Sequence, residues 1–171
     1  MTRISGGLSE VRFTKVGIIC LWNPLTREYR RIRDPPRDDA HLIGYGFGYD
    51  CQNDDYKLVR LLHGSEAEVY TFGSDSWNQY QCPFVFASAP TEYYGVRLNG
   101  ALHWKAKKII VSFDVSDEIF KEFPLPEQPL DDGGGVELGI LESCLCLVSY
   151  STSGRFDIWV MQDYGVKDSL D

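Results

Sequence analysis

Ile18–Ile32 reads IICLWNPLTREYRRI: an apolar run, a tight turn centred on Asn23-Pro24, then a return run mixing apolar and basic residues. This is the pattern of a β-hairpin. Its outline recurs as VYTFGSDSWNQYQ from Val69, IVSFDVSDEIFKEF from Ile110 and DIWVMQDYGVKDSL from Asp157. Each copy has a short strand ending on an aromatic residue or Met, a polar turn, and an aromatic or aliphatic start to the return strand; the last return, through Val166, is the weakest. The copies lie about 40–50 residues apart, the period of β-propeller blades and longer than most helical repeats.

The intervening sequence fills out that period. RDPPRDDA (Arg33–Ala40) combines paired prolines with charges and reads as an exposed connector. In GYGFGYD (Gly44–Asp50) strand alternation places Tyr45, Phe47 and Tyr49 on one face and bare glycine backbone on the other, suited to close approach near a crowded axis. The polar turn CQNDD leads to YKLVRLL (Tyr56–Leu62), a strong strand former. With the Val69 hairpin these make four strands, one blade. After the connector CPFVFASAP, Asn99-Gly100 is the dipeptide suited to a type I′ hairpin, because both positions take positive φ. PLPEQPLDDGGG (Pro124–Gly135) is the next connector, and two apolar strands follow around Glu142-Ser143. No long segment keeps a helical period. The expected fold is all-β, a partial β-propeller of four-stranded blades: two complete blades and much of a third, preceded by half a blade, about three blades or an open arc of a larger ring.

The 171 residues, 43% apolar and 13% aromatic, allow one domain with a real core and exclude wholesale disorder. No apolar run approaches the roughly 18 residues of a membrane span, and the first residues lack a signal-peptide core, so cytoplasmic and/or nuclear residence without membrane association is expected. The five cysteines lack disulfide-framework or CxxC spacing and read as buried and structural. A net charge of −8 argues against nucleic acid as a partner. Residues 1–62 carry ten Lys/Arg against eight Asp/Glu and residues 63–171 seven against seventeen, giving +2 and −10. The acidic portion suits either a basic partner or a well-solvated surface.

Taken in order, LWNPLTREYRRI (Leu21–Ile32), GYGFGYDCQNDDYKLVRL (Gly44–Leu61), VYTFGSDSWN (Val69–Asn78), VRLNGALHW (Val96–Trp104), IVSFDVSDEIFKEFPLP (Ile110–Pro126), LGILESCLCLV and DIWVMQDYGVKDS resemble the F-box-associated interaction domain of plant F-box proteins, the type related to kelch repeats. The resemblance implies kelch-like blades and a substrate-recruiting subunit of an SCF-type ubiquitin ligase. In that family an N-terminal F-box binds the Skp adaptor and through it the cullin, while the associated domain holds the client to be ubiquitinated. Nothing ahead of Leu21 resembles the Leu/Pro-rich helical F-box, and the family's serine-tryptophan after the YGV piece reads Ser169-Leu170. The expected organisation is therefore a poorly defined segment 1–17 and a truncated interaction domain 18–171. Skp and cullin are expected as partners only where an F-box is supplied by sequence ahead of it.

Catalytic residues, cofactors and metals are not expected. His41, His63 and His103 are scattered, and no GxSxG, HExxH or P-loop occurs. His103 alternates with Leu102 and Trp104 and reads as a packed histidine. Asp54-Asp55 and Asp131-Asp132 sit in turns or connectors, where Asp is ordinary. The recurring Trp22, Phe72, Phe113 and Trp159 read as core, with Trp77 and Phe120 packed between blades. Recognition is expected from the loops. The connectors and the loops between second and third strands emerge on one face, collecting Arg33, Arg37, Asp38 and Asp39, then His63 and Glu66, Phe84 and Phe86, Lys105 and Lys107, and Asp131 and Asp132. This is the expected protein-binding face, apolar anchors within a polar rim, although Phe84 and Phe86 could equally tuck beneath it. Narrower or different readings are a relative that recognises a ribonuclease in self-incompatibility, or a propeller enzyme or lectin.

Overall fold

A computed structural model of the chain describes residues 10–13, 19–37, 42–86, 94–106, 109–125 and 135–165. Among them there is no helix. Four antiparallel meanders follow one another in sequence: β1 (Glu10–Phe13), β2 (Ile19–Trp22) and β3 (Tyr29–Arg31); β4 (Leu42–Asp50), β5 (Asp55–Leu62), β6 (Gly64–Thr71) and β7 (Ser76–Phe86); β8 (Val96–Leu98), β9 (Ala101–Lys105), β10 (Ile109–Asp114) and β11 (Phe120–Pro124); and β12 (Gly135–Leu141), β13 (Cys144–Tyr150) and β14 (Phe156–Val160). The middle two are complete four-stranded blades. The first sheet exceeds the half blade expected, because β1, from a segment without a readable period, pairs with β2 from Glu10↔Trp22 to Phe13↔Ile19.

Each pair of neighbouring sheets encloses its own core. Ile19, Leu21 and Ile32 meet Leu58, Tyr70 and Phe72 between the first and second sheets. Val59, Val69, Trp104 and Phe113 fill the space between the second and third, and Ile110, Phe123, Leu138 and Leu147 that between the third and fourth. The leading strands of successive sheets approach one another: β4 contacts β8, and β8 contacts β12. Strands that lead each sheet toward a common axis, with apolar faces stacked sheet on sheet, make a propeller arc.

The glycines of β4 act as expected. A Cβ on Gly46 would lie 2.5 Å from Trp104 Cζ2, and one on Gly48 2.6 Å from Val115 Cγ2, so the bare backbone face of β4 is where the third sheet docks. The internal repeat extends to individual hydrogen bonds. Asn23 N–H donates to Glu28 O and Asp114 N–H to Ile119 O, both at 2.9 Å, and Arg27 and Glu118, each four residues into its loop, share a φ of 58°. In both loops the first side chain accepts from the backbone N–H groups two and three residues on, Leu25 and Thr26 to Asn23 Oδ1, Ser116 and Asp117 to Asp114 Oδ1. Of the four recurring aromatics, Phe72 and Phe113 are buried, whereas Trp22 and Trp159, in the three-stranded end sheets, are only half-buried. Cys82 and Cys146 are buried as expected, but Cys51 is exposed, since its residue lies in the β4–β5 turn.

Asn99-Gly100 closes the β8–β9 hairpin at φ 50° and 77°, as its residue types demand. Glu142-Ser143 closes β12–β13 in the same way at 49° and 67° without a residue suited to positive φ. Replacing Glu142-Ser143 by Asn-Gly is expected to raise stability by about 1–2 kcal/mol. A urea midpoint that does not increase would show that this turn is not strained in the folded chain.

Candidate functional site

Of the twelve residues expected on the binding face, Asp38, Asp39, Lys107, Asp131 and Asp132 lie outside the described residues. The others divide. Phe84 and Phe86 do not belong to a connector, because β7 continues through Phe86. The Phe84 ring packs edge-on against Phe120, centroids 6.0 Å apart, beside the core between the second and third sheets, so it is not an exposed anchor. Glu66 and Lys105 are likewise strand residues, in β6 and at the end of β9. The turn between β5 and β6 is so tight that His63, exposed, Gly64 at φ 97° and Ser65 suffice to reverse the chain after the Leu62↔Glu66 pair.

Arg37 and Glu66, placed on separate elements by the sequence, meet. Arg37 Nη2 donates to Glu66 Oε1 at 3.1 Å and Nη1 donates to Oε2 of the same carboxylate, a two-armed pair between the connector after β3 and the start of β6. Arg33, earlier in the connector, donates to Asp75 Oδ2 at 3.3 Å, while its carbonyl accepts from Trp77 Nε1 at 2.8 Å. The connector is thereby laid over the face of the second sheet that looks toward the first.

Beneath Arg37 lies a second pair that sequence reasoning missed. Arg60 Nη1 donates to Glu68 Oε2 at 2.9 Å and to the Arg37 carbonyl at 3.2 Å; the two side chains are 0% and 1% exposed. Strand register explains the grouping. Arg60 stands opposite Glu68 and Leu62 opposite Glu66 across β5–β6; Glu68 faces Gln79 and Glu66 faces Gln81 across β6–β7. Burial pushes the Glu68 carboxyl above its usual range, against the opposing pull of Arg60, Gln79 and Arg37. A cavity of about 220 Å³ opens here, lined by Arg37, Leu62, Glu66, Ala67, Glu68, Gln79, Tyr80 and Gln81. The signal was present in the sequence: a tight reversal at His63-Gly64 sets Arg60 and Glu68 in register, and arginine inside an otherwise apolar strand requires a partner.

The other face of the second sheet, toward the third, carries a different cluster. Lys57, 5% exposed, spends its three N–H groups on Asp50 Oδ2 at 2.8 Å, Glu118 Oε1 at 2.7 Å and the Val115 carbonyl at 2.8 Å. Tyr80 donates to the other Glu118 oxygen, and burial followed by that carboxylate pushes its phenol up to about 12. This network ties the second sheet to the third and is fully self-satisfied.

His103 is buried, with Nδ1 3.2 Å from the Val96 carbonyl and Nε2 2.7 Å from Tyr164 Oη, and burial keeps it below its ordinary range. It is the packed histidine that its alternation suggested. Among the described residues no group of three or more His, Cys, Asp or Glu is arranged to hold a metal ion.

Residues 12–169 match the family described as F-box associated beta propeller domain. The chain is similar to the F-box/kelch-repeat protein At3g23880 of Arabidopsis thaliana, 33% identical over 85% of this chain and 44% of that protein. It is similar also to the F-box protein CPR1 of the same plant, 28% identical over 96% of this chain and 51% of the relative. It thus spans about half the length of the curated relatives it matches. Among solved structures, the β-propeller domain of Myceliophteria thermophila Cps50 (Swd1) aligns with 90% of this chain and 52% of its own at 14% identity and a TM-score of 0.46.

Proposed function

The chain belongs to the F-box-associated β-propeller family, and on that premise we propose that it is the client-recognition module of an SCF-type ubiquitin ligase, itself non-catalytic. The observation that carries this reading is the family match over residues 12–169, nearly the whole chain. The architecture supports it: sheets locked to one another by separate cores make a stiff scaffold, and such scaffolds present recognition groups from loops and strand ends. The Arg37–Glu66 region is the part of the expected face that comes together, with exposed His63 beside it in the chain. Ubiquitin transfer, adaptor binding and cullin binding then fall to other segments or subunits.

Fused to an F-box that binds a Skp adaptor, the chain is expected to capture a specific client and promote its ubiquitination. Capture should fall by about tenfold or more in a Glu66→Lys/His63→Ala variant, as for loss of a contact in a recognition centre. Equal capture by variant and parent would remove this face from consideration, and a stoichiometric metal or a glycan-array signal would favour the enzyme or lectin reading instead.

A further inference from the structure

The cavity under Arg37 has chemistry that the two ion pairs do not use up. Glu68 is 1% exposed, and while its Oε2 accepts from Arg60, its Oε1 accepts no hydrogen bond. A buried carboxylate oxygen in that state is a strong acceptor held at fixed geometry. Glu68 lines the cavity with Glu66, Gln79 and Gln81, while Leu62 supplies a less polar wall. At about 220 Å³ the space falls below the roughly 300–1,000 Å³ of small-ligand pockets and matches one long side chain.

Charge identifies that side chain. With Arg37 in place, two carboxylates face two guanidiniums and the group is neutral. Arg37 and Glu66 are 39% and 37% exposed, and a pair that exposed is held weakly, so Arg37 can be displaced into solvent. What remains is two carboxylates against one buried guanidinium, a net charge of −1 that one incoming cation balances. Arg37 already shows that Glu66 accepts a planar two-armed donor. A guanidinium carries five N–H groups and can serve two carboxylates and an amide carbonyl together, which a lysine ammonium does less well. Resting on the client-recognition reading above, we propose that this cavity is a subsite for an arginine side chain of the client, its guanidinium donating to Glu68 Oε1 and to the Glu66 carboxylate.

The probe is N-acetyl-arginine amide, titrated into the full chain while the side-chain amide signals of Gln79 and Gln81 are followed by NMR. Saturable shifts in the millimolar range are expected, with affinity about fivefold or more weaker for N-acetyl-citrulline amide, which keeps the shape and loses the charge, and weaker for N-acetyl-lysine amide. Glu68→Gln should abolish the effect. Because that change also strips Arg60 of its buried partner, Gln79→Met, which removes an amide carbonyl from the cavity lining at nearly constant volume and keeps the pair, is the second variant, read out on Gln81, and it should weaken binding. Equal responses to arginine and citrulline amides, no response at all, or undiminished binding in Gln79→Met would overturn the proposal. Client capture is scored separately. A chain that captures client yet ignores arginine amide overturns the subsite and leaves the recognition reading standing. One that binds arginine amide but captures no client overturns that reading and, with it, the subsite's assignment to the client.

Discussion

Trp104→Ala is expected to destabilise the chain by about 4 kcal/mol and to lower its melting temperature by on the order of 10 °C. The indole is 1% exposed and fills the gap between the second and third sheets that two glycines leave open. A Cβ on Gly46 would sit 2.5 Å from Cζ2, and one on Gly95 2.6 Å from Cε2. Its Nε1 donates to the Tyr45 carbonyl at 2.8 Å, which also accepts from Gly95 N–H at 2.7 Å, so the aromatic ring holds both β4 and the residue that leads into β8. Removing it costs burial and leaves a cavity between surfaces too rigid to close. The assignment to this one gap is tested by a double-mutant cycle. Gly46→Ala alone should cost about 1–3 kcal/mol, because its methyl must displace the indole. In the Trp104→Ala background the same methyl enters empty space, so the double variant should be clearly more stable than the sum of the two losses predicts. Additive losses in urea unfolding would mean that the glycine and the indole do not share a space.

That gap was half legible in the sequence. Gly44–Asp50 announced a bare strand face, and Trp104 was visible only as a member of a short strand beside His103, with nothing local to say that one docks on the other. What could be read were features whose cause is local: the Asn99-Gly100 turn, forced by backbone dihedrals, and the likeness of the Asn23 and Asp114 loops, forced by side chains that bond their own backbone. Readings failed where a distant partner decides. Phe84 looked like a loop anchor because Pro83 precedes it and small residues and Pro90 follow, yet pairing with β6 carries β7 through it and its ring packs on Phe120. β1 exists through its pairing with β2, and its own residues show no period. The candidate site is intermediate. Arg37 and Glu66 were each singled out, but their meeting and the Arg60–Glu68 pair beneath depend on how the connector lies across the sheet.

Lys57→Met is expected to remove about 3–5 kcal/mol of stability near pH 7, because it strands the Asp50 carboxylate, 0% exposed, without its cation. Asp50 is held well below the usual carboxylate range. Burial alone would raise it, but donation from Asn53 and Lys57 outweighs burial. Lys57 is raised: burial opposes its charge, and Asp50 and Glu118 more than restore it. A depressed acid contributes stability that is complete above its unfolded pKa and is lost as pH falls through its folded pKa. A raised base contributes stability that is complete below its unfolded pKa and is lost as pH rises through its folded one. The parent chain should therefore hold this cluster's full contribution between about pH 4 and about pH 10, the unfolded values of Asp and Lys. In Lys57→Met one of the donors opposing burial is gone, the Asp50 pKa rises, and protonation relieves the stranded charge. The deficit relative to the parent should be greatest around neutrality and shrink as pH falls toward about 4. Adding Asp50→Asn, which removes the charge while keeping an oxygen for the Gln52 and Asn53 N–H groups, should recover part of the loss at pH 7. A deficit below about 1 kcal/mol, or one that does not change with pH, would mean that Lys57 reaches solvent in the folded chain and that the second and third sheets are joined by their apolar faces alone.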